Sequence, residues 1–499
     1  MGLKVDSSFL KFLTMGALGT RRVFDLMSEA GLQPIELERY SRSNKIWSTK
    51  VKRLRLPDLL CVRTGLRVEV KGKSKLTIKM SDSPNNADRQ WDAGLADRDM
   101  IAFVHIQEGD DGRMGAADNA ELFWVEDLRT TVAQSKLGPP KSAGEGAERD
   151  REWPSTVAKR NGEVTTADED RFTVALEGGR RQTYRLNGKS LYVGAGERFV
   201  ADSQFLAGIP RTKASFPTPE ETHWNPRPLL TSASSIDRYV AVKALGVIGE
   251  TSDVPAIANV AENDTDERVK LEASVALVCL KDVRGVEMLR TAIDDPVVDY
   301  LRMEALLALA EFRGHSLAPQ CASLLAKTAR NEALCENEAR QAAIWGLGKD
   351  GLCAYRELLG LLDATDDNEL IHAVSAFGSD ADVALVDELI AVVVSATSSV
   401  RLRSSASSIL ARTIPPVCGV PRLEASYHTS PDEAKNWILA TLGQMDPTAV
   451  MPLITSSNLA ALLIPFYLTS PETNWTRSVR LMDSLAFVRK QTIATSQSR

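Results

Sequence analysis

The chain has 499 residues, 43% hydrophobic and 25% charged, with a formal net charge of −6. That length exceeds a single hydrophobic core and predicts about three domains, while the charge balance excludes a general polycation. Six scattered cysteines (Cys61, Cys279, Cys321, Cys335, Cys353, Cys418), none in a C-x-x-C pair, exclude a zinc ribbon, an iron–sulfur cluster and a disulfide framework.

The opening "MGLKVDSSFLKFLTMG" lacks the apolar core of a signal peptide. No apolar run is long enough to span a bilayer; "LAALLIPFYL" (Leu459–Leu468) is too short and contains a proline. The expectation is a soluble, cytoplasmic protein without membrane contact. Residues 1–135 read as a small α/β domain. "RRVFDLMSEAG" has a helical apolar spacing and ends at Gly31. "LRLPDLLCVRTGLRVEVKGK" (Leu54–Lys73) reads as a hairpin turning at Thr64-Gly65. "NNADRQWDAGLADRD" predicts a short helix, and "MIAFVHIQ" (Met100–Gln107) a buried central strand. "AELFWVEDL" (Ala120–Leu128) is a strand or a strand-to-helix junction.

Residues 136–155, rich in Gly, Pro and charge, predict a flexible linker. Residues 156–222 alternate short β-like runs with Gly-Gly, Asn-Gly and Gly-Ala-Gly breaks, which predicts a small β-rich module. From 223 to 415 the chain repeats an Ala-x-x-Ala-Leu anchor or a close variant, at Ala241, Ala273, Ala305, Ala343, Ala373 and Ala406, with spacings of 32, 32, 38, 30 and 33 residues. Small residues three apart let two helices approach closely, and helix pairs of this period stack into a solenoid. The segment resembles HEAT repeats, particularly the short type of phycobilisome-lyase-like proteins. Residues 416–499 read as a helical cap.

The chemistry-bearing residues cluster in the hairpin. From Arg39 to Lys79 there are thirteen Lys and Arg against two acids, Asp58 and Glu69. Alternation places Leu66, Val68 and Val70 on one face of the second strand and Arg67, Glu69 and Lys71 on the other. Asp58 on the first strand comes opposite the Glu69–Lys71 region, and Pro57 makes the strand irregular there, freeing Asp58 to turn toward a cation. Two convergent carboxylates suit a hard divalent ion. Lys45, Lys50, Lys52, Arg53, Arg55 and Lys73 are candidates for phosphate binding, with Trp47 a candidate base-stacking ring. An ordinary surface ion-pair cluster and a solvated basic loop are the alternative readings of the same residues.

At Pro57-Asp58 and Glu69-Val70-Lys71, ten residues apart, the sequence resembles the PD-(D/E)xK nuclease superfamily, in its Holliday-junction-resolvase and restriction-endonuclease branch. The resemblance implies an Mg²⁺ (or Mn²⁺) ion held by Asp58, Glu69 and the Val70 carbonyl, Lys71 assisting the attacking water, and Gln90 supporting the site from the helix after the Lys strand. The acid that members carry early in the first helix is missing; Thr20-Arg21-Arg22 stands there, with Asp25 or Glu29 as substitutes.

The fold expectation is thus multidomain α/β + α: a restriction-endonuclease-like N-terminal domain, a small β-rich module and a C-terminal HEAT-type α-solenoid. The functional expectation is a metal-dependent DNA endonuclease of a bacterial restriction or phage-defence kind. RNA remains open as substrate, a homodimer would serve double-strand cutting, and the HEAT array would recognise a protein partner or the nucleic acid. The alternative is a degenerate HEAT scaffold that binds nucleic acid or protein without cutting.

Overall fold

The computed structural model describes residues 7–37, 54–109, 114–143, 147–218, 224–296, 299–312, 314–331, 338–348, 352–378 and 381–469. Helix α1 (Ser7–Glu29) is followed by β1 (Pro34–Glu36), β2 (Leu59–Cys61), β3 (Arg67–Lys73), β4 (Ile78–Asp82), β5 (Met100–Glu108), β6 (Met114–Ala116) and β7 (Glu121–Trp124), which runs into α2 (Val125–Thr130). β1, β2 and β3 form an antiparallel meander. β5 lies parallel to β3, and both β6 and β7 pair with the far edge of β5.

α1 packs one apolar stripe, including Met15, Val23 and Met27, on Val68 and Val70 of β3 and Ala102 and Val104 of β5. The approach is close because Gly72 has no side chain; a Cβ there would lie 2.5 Å from the Met15 carbonyl oxygen. The helix stops in a Schellman motif, with Gly31 at φ 77° and the Leu32 N–H on the Met27 carbonyl (3.0 Å).

Two sequence expectations need correction here. Residues 85–99 form no α-helix, only a single 3-10 turn at Ala87–Arg89. Gly94 sits at φ 80°, and Arg129 of α2 holds the following loop through Asp92, Asp97 and the Leu95 carbonyl. These tertiary bonds outcompete a short helix with weak propensity. The stretch expected as a linker also contains β8 (Lys136–Leu137) and β9 (Arg149–Trp153), and β9 pairs with β4 over its whole length. Trp153 anchors it, fully buried and edge-on to Trp91 at 5.0 Å, and Arg151 reaches the buried Asp82 at 2.6 Å.

The β-rich module comprises β10 (Ser155–Val157), β11 (Gly162–Ala167), β12 (Arg171–Leu176), β13 (Arg181–Arg185), β14 (Ser190–Leu191), β15 (Arg198–Phe199) and β16 (Phe205–Gly208). They form a three-stranded sheet, β10-β16-β14, and a four-stranded one, β13-β12-β11-β15, around Val164, Phe172, Val174 and Phe199. Phe205 and Tyr192 join the core beneath β5 and β7.

The remainder is helical: α3 (Ser235–Ile248), α4 (Val254–Asn263), α5 (Glu267–Cys279), α6 (Arg284–Asp294), α7 (Asp299–Leu309) and α8 (Ala318–Ala329). Then come α9 (Ala339–Leu347), α10 (Leu352–Leu359), α11 (Asp367–Ala376), α12 (Val383–Val394) and α13 (Val400–Arg412). α14 (Pro416–Thr429), α15 (Asp432–Leu442), α16 (Pro447–Val450) and α17 (Ser457–Thr469) follow. The six anchors fall on α3, α5, α7, α9, α11 and α13, which stack in series as one layer of a solenoid. Gly246 of α3 lies so near Ala276 of α5 that an added Cβ would stand 3.3 Å from it. The acids preceding the anchors act as N-caps: Asp266 accepts the Arg268 N–H, and Asp366 those of Asn368 and Glu369.

The solenoid joins the N-terminal sheet through α3. Val240 and Ala244 pack on Ile35 and Leu37, and on Leu60 and Val62 beside β2. Trp224 covers the hairpin turn at Gly65 and donates its backbone N–H to the Arg63 carbonyl (3.1 Å). Among the described residues no helix is long and apolar enough to cross a membrane. Among the described residues Cys61, Cys279, Cys321 and Cys418 form no disulfide.

Candidate functional site

The hairpin registers Leu59 against Val68 and Leu60 against Arg67, and closes with the Cys61 N–H on the Leu66 carbonyl (2.8 Å). Gly65, at φ 74°, provides the left-handed residue of the turn. Antiparallel pairs alternate between hydrogen-bonded and non-hydrogen-bonded, so the ladder through Cys61/Leu66 and Leu59/Val68 next calls for bonds between residue 57 and Val70. Residue 57 is proline, which has no N–H to give. The Val70 N–H is taken instead by Asp58 Oδ2 at 2.7 Å. The Val70 carbonyl points to the same edge, and Pro57 cannot supply it with a donor. The main-chain carbonyl of Asp58 is occupied by the Leu37 N–H at 3.0 Å, so Asp58 is held by both neighbouring strands.

Beyond the Leu59/Val68 pair, Glu69 is the next residue of β3, on the face opposite Val68. Lys71, two residues along the same face, bonds Glu69 Oε1, and the pair keeps side-chain exposures of 31% and 21%, enough to be reached from solvent. Asp58 thus meets the Val70 N–H, and Lys71 meets Glu69, on neighbouring residues of β3. Among the described residues no group of three or more His, Cys, Asp and Glu side chains is arranged to hold a metal. The donor set here is two carboxylates and one carbonyl. It fits an ion that keeps several waters and completes its shell with substrate phosphate, as Mg²⁺ does, with Mn²⁺ taking the same oxygen ligands.

Gln90 is not among these residues. It follows the 3-10 turn, lies exposed, and donates to the Pro84 carbonyl of its own loop at 3.3 Å. The α1 acids also lie elsewhere: Asp25 pairs with Arg21 and Glu29 with Arg22, on a helix covering the opposite face of β3.

Lys73 continues the Glu69–Lys71 face. Its Nζ donates to the Lys79 carbonyl at 2.5 Å and lies 6.0 Å from the Phe103 ring centroid. Burial foremost, then the charges of Lys71 and Lys79, push its amine down to about 8. Arg55 is exposed, and its carbonyl abuts Gly94, where a Cβ would lie 2.0 Å away. Lys45, Lys50, Lys52, Arg53 and Trp47 fall outside the described residues.

The sequence reading did not single out Arg67 as a site residue. It starts β3 on the face of Glu69, binds Asp99 Oδ1 at 2.8 Å, and stands 3.7 Å from Asp237 of α3. Alternation places Arg67 on that face, but only folding reveals its partners, 32 and 170 residues away in the chain. Asp99 is nearly fully buried, and burial pushes its carboxyl up against the opposing pull of Arg67.

A family model described as HEAT repeats matches residues 227–310, so this part of the chain carries HEAT repeats. No curated protein matches the chain. Similar solved structures include the complex of CpcE and CpcF of phycocyanin lyase from Nostoc sp. PCC7120, at 18% identity, covering 51% of this chain and 97% of that one with a TM-score of 0.25. Human deoxyhypusine hydroxylase matches at 16% identity over 43% of this chain and 81% of its own, with a TM-score of 0.20. The Escherichia coli protein YibA matches at 14% identity over 49% and 92%, with a TM-score of 0.26.

Proposed function

We propose that the chain is a divalent-metal-dependent nuclease that hydrolyses phosphodiester bonds, with DNA as substrate. The observation that supports this reading is the contact of Asp58 with the Val70 N–H beside the Lys71–Glu69 pair, at the proline-interrupted end of one hairpin. The helix-then-hairpin order around these residues supports the PD-(D/E)xK resemblance. Asp58 and Glu69, with the Val70 carbonyl, would hold Mg²⁺ or Mn²⁺. Once bound, such an ion lowers the pKa of a coordinated water and offsets charge building on the phosphate.

The chain's own groups do the rest. The Val70 N–H holds one carboxylate oxygen of Asp58 in place. Lys71 orients the attacking water and stabilises the added negative charge as the new phosphorus–oxygen bond forms. The attacking water gives up a proton to solvent, the bond to the leaving sugar oxygen breaks, and that oxygen takes a proton from solvent. The HEAT array, joined to β2 through α3, would present a protein partner or flanking nucleic acid to the site, as in a restriction or phage-defence nuclease.

Purified protein incubated with plasmid and Mg²⁺ or Mn²⁺ should nick or linearise it. Lys71→Ala should abolish this while leaving thermal stability within about 1 kcal/mol, since the Lys71–Glu69 pair is part-exposed. Cleavage that survives in Lys71→Ala would sink the proposal. A second reading, a HEAT scaffold that binds without cutting, is favoured by the presence of two rather than three carboxylates at the site. Nucleic-acid binding with no cleavage under either metal would select it.

A further inference from the structure

The β-rich module, to which no role attaches so far, presents one charged sheet face. In the four-stranded sheet the registers Arg171↔Arg185, Thr173↔Thr183 and Ala175↔Arg181 put Arg171, Arg181 and Arg185 on one side. Glu163↔Ala175 and Glu163↔Arg198 carry the same face across β11 to β15. The four arginines are exposed, while Phe172, Val174, Leu176 and Phe199 fill the other side. The acids near the face include Glu163, beside Arg198, Asp168, which pairs with Arg171 at 3.2 Å, and Glu177 at the end of β12. Among the described residues Arg181 and Arg185 make no ion pair.

Arg171 and Arg185 stand directly opposite each other; Asp168 offsets the charge of Arg171, and Arg185 adds its own to the face. Arg181 and Arg185 are about 13 Å apart along β13, and Arg198 lies about 14 Å across the sheet from Arg181. That extent spans more than one phosphate spacing along a strand of a duplex, so several arginines can meet successive phosphates. The centre of the face is a hydroxyl pair, Thr173 and Thr183, 2.9 Å apart. Among the described residues no aromatic ring of this sheet lies on this face: Tyr184 stacks on Phe172 on the buried side, at 5.2 Å. Single-strand binders interleave aromatic platforms with their positive charge, whereas a face of guanidinium and hydroxyl groups can read only a backbone.

We propose that this face, built by Arg171, Arg181, Arg185 and Arg198, docks the phosphate backbone of duplex DNA without reading its sequence. The choice of DNA rests on the nuclease reading above. The module then serves as a second grip on the substrate, separate from the hairpin.

The test uses the full-length chain and a fluorescent 30-base-pair duplex in EDTA, with anisotropy read between 50 and 200 mM salt. Arg181→Ala/Arg185→Ala/Arg198→Ala should weaken binding about ten-fold and make the slope of log K against log salt shallower by about two to three. The matching triple Arg→Lys variant should keep the slope, since it keeps the charges. Unchanged affinity and slope in the alanine variant would overturn the proposal, as would ten-fold tighter binding of duplex RNA or single-stranded DNA through the same arginines. Arginine-dependent binding without any metal-dependent cutting would sustain this proposal while removing the nuclease reading. Lys71-dependent cutting with arginine-independent binding would do the reverse.

Discussion

Asp58 accepts the backbone N–H of Val70 at 2.7 Å, occupying the place that the carbonyl of residue 57 would hold in an unbroken ladder. A side chain has replaced a main-chain partner, so one contact both closes the hairpin and aims a carboxylate. The structural duty of Asp58 and the catalytic one proposed for it can be separated because Asn keeps an acceptor oxygen and loses the charge. Asp58→Asn should cost less than about 1 kcal/mol in urea unfolding, and Asp58→Ala about 1–3 kcal/mol by leaving a buried N–H unpaired. Both should lose plasmid cleavage. Equal destabilisation by the two variants would mean that the bond to Val70 contributes nothing.

Pro57 keeps the Val70 carbonyl from being claimed by the ladder. Pro57→Ala restores an N–H that can donate to it. Stability should change by no more than about 1 kcal/mol, while the metal concentration needed for half-maximal cleavage should rise. A metal titration of cleavage checks this; an unchanged midpoint would show that the Val70 carbonyl is not a ligand.

Lys73 should make DNA binding depend on pH. Its amine, lowered to about 8, is charged at pH 7 and mostly neutral at pH 9. Affinity for a phosphate backbone, measured in EDTA, should therefore fall as pH rises through 8, by roughly 1 kcal/mol for the loss of one charged contact. Lys73→Arg, which stays charged throughout, should flatten the profile. A decline of the same size in Lys73→Arg would assign it to another group.

Arg67 ties the site strand to Asp99 and reaches toward Asp237 on the first HEAT helix. Arg67→Ala leaves Asp99 buried without its counter-charge and should cost about 3 kcal/mol at pH 8. Asp99 has its carboxyl raised by burial, and losing Arg67 raises it further. The folded variant then binds more protons than the unfolded chain, so its stability should increase as pH falls from 8 toward 5. Asp237→Ala should cost under about 1 kcal/mol, because that contact is 3.7 Å long and Asp237 is part-exposed. Urea melts at the two pH values check both statements.

Elements set by short-range pattern were legible from the residues: the helix ending at Gly31, the hairpin turn at Gly65, the apolar strand β5 and the alanine anchors of the stacked helices. Elements settled by distant partners were not. β9 looked like a linker because its partner, β4, lies some seventy residues earlier and its weight rests on one tryptophan. Gln90 looked helical because nothing local reveals that Arg129 would claim Asp92 and Asp97. Ile35 and Leu60 gave no sign that they would meet Val240.

The amino-acid sequence alone thus determined the repeat period and the shared face of Glu69 and Lys71, since both follow from the fixed rotation per residue of helix and strand. The orientation of the Asp58 carboxylate, the removal of Gln90 from the site, and the docking of α3 on the sheet were decided only in three dimensions. Each depends on a hydrogen bond, an ion pair or a buried contact between residues far apart in the chain, and such pairings become favourable only once the intervening segments have folded.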